Sequence, residues 1–186
     1  MELESLFTAS KWEILQHLAR QPLSPLQLAE RSSTSLANIS QQLRLLEMAG
    51  LVKSERVPNR DKGQPRILYR IASDQGYLIA ATNEFTDKRL LKLDARNKAV
   101  MRIWFYENEN VRYLLEKTFW RVEHLLPRMT ALGVLKVGEA SIELGMSGEG
   151  LTANDAQPLV LEDLEGKKVT LTFRIGEETG HVLYSA

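Results

Sequence analysis

Ser35, Asn38, Gln41 and Gln42 fall within a stretch whose apolar residues repeat at steps of three and four. On such a helix the four polar side chains lie off the apolar stripe. A carboxamide donates and accepts at once, which matches the N7 acceptor and N6 amino donor of adenine in the DNA major groove. Just upstream, Ser33 and Thr34 stand where hydroxyls and unpaired helix-start N–H groups suit phosphate oxygens. Arg31 and Arg44 add charge at the sides of the stretch, and Arg56, Arg60, Lys62 and Arg66 gather around Gly63. Cations on such a tip can flank the sugar-phosphate backbone or enter a minor groove. Residues 31–70 hold eight basic and three acidic side chains, although the whole chain carries 24 of each and is neutral. The compensating acid lies at the other end, where residues 138–186 hold nine acidic and three basic side chains. That asymmetry points to a nucleic-acid surface near one end.

These residues need rigid elements to aim them. Ser10–Arg20 places Trp12, Ile14, Leu15 and Leu18 at helical spacing, with Thr8 or Ser10 as cap and Gln21-Pro22 as terminator. Ser24 and Pro25 open a second short helix whose Leu26, Leu28 and Ala29 face inward. The third helix, about 34–49, carries Leu36, Ile39, Leu43 and Leu46 on one stripe and ends at Gly50. Leu51–Val57 reads as a strand, Pro58–Pro65 as a charged loop and Arg66–Ile71 as the returning strand. Three helices followed by a two-stranded ribbon describe a winged helix–turn–helix.

The run Leu43–Val52 (LRLLEMAGLV) and the basic hairpin up to Tyr69 resemble ArsR-like winged helix–turn–helix transcription regulators, particularly archaeal ones. Members of that family commonly read S-x-H-L before the AGLV segment; here the residues are Ser40-Gln41-Gln42-Leu43, with glutamine in the histidine position. The resemblance covers about residues 5–72 and implies a double-stranded DNA partner.

Beyond the ribbon, Gly76–Ala81 and Lys88–Leu93 read as strands, Asp94 caps a helix through Phe105, and a further helix runs from Asn108 or Asn110 to about Leu126. The latter carries a wide apolar face of Val111, Leu114, Leu115, Thr118, Phe119, Val122 and Leu125. Core packing is the first reading of the aromatic residues here; the rival, which the width of this face favours because it exceeds what one small domain needs to cover, places Tyr113, Phe119 and Trp120 in a homodimer interface. After Ala131, short alternating runs at 132–137, 140–144, 168–175 and 181–184 predict strands. The expected fold class is α+β, divided into a winged helix at 1–75, a connector and dimerisation region at 76–130 and a β-rich sensory or partner-binding module at 131–186.

Several chemistries are set aside by composition. The chain has no cysteine, which removes disulfides, thiolate metal sites and thiol nucleophiles and suits a reducing cytoplasm. His17, His124 and His181 are far apart, so no metal site is expected, with Glu116, Glu123 and His124 explained by ordinary helix exposure. Gly145, Gly148 and Gly150 make turns rather than a phosphate-binding fingerprint. Leu135–Leu144 is faintly similar to the strand–turn–strand of nucleotidyltransferase-like domains, but Ser141 and Glu143 stand where paired aspartates would hold magnesium. No secretory leader, no run of eighteen apolar residues, no cofactor and no catalytic constellation are read from the sequence. The expectation is therefore a non-enzymatic, cytoplasmic, homodimeric DNA-binding regulator responding to an unidentified effector or protein partner. The competing reading is a protein-interaction module or inactive nucleotidyltransferase relative that uses its winged helix to hold a partner.

Overall fold

The computed structural model describes residues 7–58, 66–177 and 180–186. The chain is α+β and divides into two compact units, Met1–Lys92 and Leu93–Ala186.

The first unit is built from α1 (Ala9–Leu18), α2 (Pro25–Arg31), α3 (Leu36–Met48), β1 (Val52–Val57), β2 (Arg66–Ile71), β3 (Gln75–Ala81) and β4 (Thr86–Lys92). Local chemistry sets the helix starts. Ser24 and Gln27 form a reciprocal capping box at α2, with bonds of 2.9 and 3.3 Å, and Pro25 occupies the first turn. Ser35 caps α3 by accepting from the Asn38 N–H at 3.2 Å. Gly50 follows α3 with φ +71, the left-handed conformation that a Cβ disfavours. Ile14, Leu18, Leu28, Ile39, Leu43, Leu46 and Val52 make one buried core. Leu23 forms an antiparallel bridge with Tyr69, with backbone bonds of 3.0 and 2.8 Å, and so ties the ribbon back to the segment before α2.

Three residues expected inside are not. Trp12 and Leu26 are exposed, and Leu36 keeps 48% of its surface in water. The α3 stripe starts at Ile39; Leu36 sits in the first turn, where the buried core no longer covers it.

β3 and β4 pair antiparallel from Gln75↔Lys92 to Ala81↔Thr86. Leu90 packs on the first core, and Tyr77 stacks on Phe7 with ring centroids 5.1 Å apart. The hairpin therefore belongs with the helices before it, not with a connector beginning at residue 76.

The second unit comprises α4 (Ala95–Trp104), α5 (Glu109–Val122), a 3-10 helix (Glu123–Arg128) and strands β5 (Met129–Val137), β6 (Ser141–Gly148), β7 (Leu159–Glu162), β8 (Lys168–Ile175) and β9 (His181–Ser185). The sheet order is β7-β8-β6-β5-β9, with β6 and β8 parallel and the other neighbours antiparallel. Asp94 and Asn108 cap α4 and α5 through their side chains. Ile142, Leu144 and Met146 alternate along β6 and share a core with Leu132, Leu171 and Leu183. Arg128 donates to Gly150 O at 2.9 Å and to Asp155 at 2.7 Å, pinning the loop after β6. That guanidinium, together with the Thr152 N–H and hydroxyl, lowers the Asp155 carboxyl to about 2. A Cβ at Gly148 would run into the Arg128 carbonyl oxygen, so this glycine serves close packing of backbones.

The wide face of α5 has an intramolecular partner. Val111, Leu114, Leu115, Phe119, Val122 and Leu125 lie in the same core as the strands. Phe119 is 1% exposed and cannot reach a second copy, whereas Trp120 is 46% exposed and Tyr113 half-buried. The boundary expected near residue 130 is likewise overturned, because α4 and α5 complete the core of the sheet. Phe119→Ala should therefore cost the second unit about 3–5 kcal/mol, while Trp120→Ala costs less than about 1 kcal/mol. Denaturant unfolding of the two variants measures the contrast. Equal losses would return Phe119 to the surface.

Candidate nucleic-acid interface

The geometry of α3 follows from which side is buried. With Ile39, Leu43 and Leu46 inward, helical spacing sends Ala37, Gln41, Arg44 and Met48 directly outward, and all four are exposed. Ser40 borders this face and is exposed as well, whereas Leu36 lies on the side of the stripe and is exposed because the core stops at Ile39. Gln41 is thus central to the outward surface. Ala37 is not among the readers expected from the sequence, although the pole opposite a buried stripe can be computed from the stripe alone; the exposure of Leu36 and Ser40 cannot.

Asn38 and Gln42 sit differently. Asn38 donates through Nδ2 to Thr34 Oγ1 at 3.1 Å and accepts at Oδ1 from Gln42 Nε2 at 3.2 Å. The result is a chain of side chains along the edge of α3, each link spanning one helical turn. Both residues are half-buried, and the Gln42 Oε1 is buried without a hydrogen-bond partner. The Gln42 amide consequently belongs to the helix edge and not to its outward face. Ser35 is exposed, but its hydroxyl oxygen is engaged by the cap. Ser40 donates back to Leu36 O at 2.8 Å.

The turn before α3 is tight. Ser32 closes α2, Ser33 adopts φ +47, and the Thr34 N–H donates to Ala29 O at 3.1 Å. Ser33 is the one non-glycine residue with positive φ among the described residues. Its exposed position beside the start of α3 keeps its hydroxyl free of the core. Arg31 and Arg44 are both exposed at the flanks.

The wing is fastened to the far end of the same helix. The Glu47 carboxylate accepts from the Ser54 N–H at 3.1 Å and from the Ser54 hydroxyl at 2.6 Å. β1 then pairs with β2 from Val52↔Ile71 to Val57↔Arg66. Arg56 and Arg66 are exposed on adjacent rungs at the open end of the ribbon, and Arg70 pairs with Glu55 at 3.3 Å nearer its base. Arg60 and Lys62 lie outside the described residues. Burial of the Tyr69 phenol, and secondarily the Glu47 charge, raise its pKa above the ordinary tyrosine value.

A family model described as a helix-turn-helix domain matches residues 13–55. The match runs from within α1 to most of β1 and includes the whole of α3. The similarity of residues 13–55 to a helix–turn–helix domain, together with the three helices and ribbon described above, supports a DNA-binding regulator. No curated protein matches the chain.

Other candidate sites gain less from the structure. Glu143 is held by Arg174 at 3.1 Å, and Ser141 follows a turn closed by Gly138 N–H to Ser141 O at 2.8 Å. His17 faces Glu13 on its own helix, at 3.8 Å. Among the described residues, no group of three or more metal-ligating side chains could hold an ion, and no helix is long and apolar enough to cross a membrane.

The Glu47–Ser54 link and the Tyr69 phenol give a measurable handle on the wing. Because the phenol titrates above its unfolded value, the neutral form is favoured in the fold. The associated stability is complete below about pH 10 and drains away as pH rises through the folded pKa. Glu47→Gln should lower the Tyr69 pKa part of the way, leaving the share due to burial, so that the alkaline loss is smaller and is complete at lower pH. Phenolate absorbance followed against pH reads both effects; an unchanged titration would separate Glu47 from the wing.

Proposed function

We propose that the protein is a sequence-specific transcription regulator of the ArsR-like winged helix–turn–helix type, close to the archaeal members of that group, acting on double-stranded DNA as a homodimer. One observation carries the reading: α3 buries a single stripe and leaves Ala37, Gln41 and Arg44 wholly outward, with a basic ribbon anchored at its end through Glu47. In this reading α3 enters the major groove and Gln41 meets base edges. Ser33, Thr34, Arg31 and Arg44 contact phosphates. Arg56 and Arg66, with Arg60 and Lys62 between them in the sequence, grip the backbone or minor groove. Ser35, Asn38 and Gln42 support the readers by capping α3 and bracing its edge.

Homodimerisation falls to the surface of α5, where Tyr113 lies under the Lys117 ammonium at 4.1 Å and Trp120 under the Arg96 guanidinium at 5.1 Å. Two-fold symmetry would set two recognition helices about 34 Å apart, one turn of B-DNA. The second unit receives an effector or protein partner, and no enzymatic step or cofactor enters the reading. The Glu143–Arg174 ion pair supports a structural use for the carboxylate that a nucleotidyltransferase relative would offer to magnesium. The regulator is expected to work in the cytoplasm, where its DNA is.

Selection from a random duplex pool followed by gel shift tests the reading. Gln41→Ala should cost about 1–3 kcal/mol and relax base preference at one position of the half-site. Arg56→Ala or Arg66→Ala should weaken all duplexes alike and flatten the dependence of log K on log salt by about one. Identical consequences from the two sets would argue against direct base reading. Sedimentation should find a dimer that Trp120→Glu converts to monomer without lowering the unfolding midpoint; an unaffected dimer would move the interface elsewhere.

A further inference from the structure

The first turn of α3 offers a reading chemistry other than amide hydrogen bonding. It rests on the reading of α3 as the recognition helix. The polar groups of that turn are already committed: Ser35 caps the helix, and the Asn38 amide is tied at both ends, to Thr34 and to Gln42. What the turn leaves exposed is Leu36, on the side of the stripe but with 48% of its surface in water because the core stops at Ile39, and Ala37 on the outward side. Both are apolar, and neither contributes to the buried core. In the next turn Ser40 directs its proton to Leu36 O, which leaves Gln41 as the nearest uncommitted amide.

The major-groove edge of a base pair carries one apolar feature, the 5-methyl group of thymine. The N-terminal residues of a recognition helix are those that contact base edges. We infer that Leu36, with Ala37 giving room for close approach, is a specificity-determining residue that selects thymine by covering its methyl group. Gln41, five residues further on and on the outward side, reads another base pair by hydrogen bonding. Asn38 is a positioning residue, holding the edge of the helix through Thr34 and Gln42. The half-site should therefore contain an obligatory thymine whose recognition depends on a methyl group and not on a donor or acceptor.

Uracil in DNA presents the same hydrogen-bonding edge as thymine without the methyl, so it isolates this contact. The experiment uses the full chain and the best duplex selected from a random pool, with each thymine replaced in turn by deoxyuridine. For the wild-type protein one replacement per half-site should weaken binding about fourfold, the worth of one buried methyl-sized group. Leu36→Ala should bind the thymine and uracil duplexes within a factor of about 1.5 of each other. It should keep the wild-type unfolding midpoint, because Leu36 lies outside the core. Discrimination that persists in Leu36→Ala, or uracil tolerated everywhere by the wild type, would overturn the assignment while leaving the DNA-binding reading intact. A pool from which no sequence is enriched would overturn that reading and this inference with it.

Discussion

The burial of Ile39, Leu43 and Leu46 against α1 and α2 fixes the rotation of α3 about its own axis. Three fully buried aliphatic side chains are worth about 1.5–3 kcal/mol each. Turning the helix by a single residue, about 100°, would bring all three towards water. No contact made by an amide or a guanidinium on the opposite side competes with that. The outward positions of Ala37, Gln41 and Arg44 are consequences of the inward ones, and any surface this domain offers to DNA is set by its hydrophobic core. The same constraint continues into the wing, since Leu51 and Val52 join the core directly after Gly50 reverses the chain. Glu47 then links the last turn of α3 to Ser54, so the helix and ribbon share one frame.

The second unit obeys the same logic with a different result. Its helices spend their apolar faces on a mixed five-stranded sheet, and what remains at the surface of α5 is amphipathic: Tyr113 with Lys117, Trp120 with Arg96. Rings of this kind, one face covered and one wet, suit association surfaces better than enclosed cores. The Arg96 guanidinium is also paired with Glu123, so the rim of that patch is organised by charge as well as by rings.

Much of the first unit was legible in the sequence because its signals are local. Ser24-Pro25, the cap at Ser35 and the glycine at 50 each act within one turn of chain and need no tertiary partner. The stripe on α3 was readable for the same reason. Leu36 was misjudged because periodicity says which side a residue is on, not where the covering elements stop. Asn38 and Gln42 were read as base contacts from their chemistry; their mutual hydrogen bond is a property of rotamers that a residue list does not hold. Phe119 failed for a longer-range reason. An apolar face of given width is covered equally well by a sheet of the same chain or by a second chain, and sequence pattern does not distinguish them. β7 leaves no signal in the sequence because Leu159–Glu162 is only four residues long and directly follows Pro158, too short for alternation to show.

The most direct test of the central claim is an amide-resolved NMR titration of the intact protein with a duplex it selects. If the core sets the display, the residues whose signals shift most should be Ala37, Gln41 and Arg44 on the outward side of α3 and the exposed Leu36 of its first turn, together with Arg56 and Arg66. Ile14, Leu18 and Leu28 should stay where they are. Largest shifts at buried positions of α1 and α2, with the outward side of α3 silent, would mean that the domain meets its partner by another surface or by rearranging, and the account would fail.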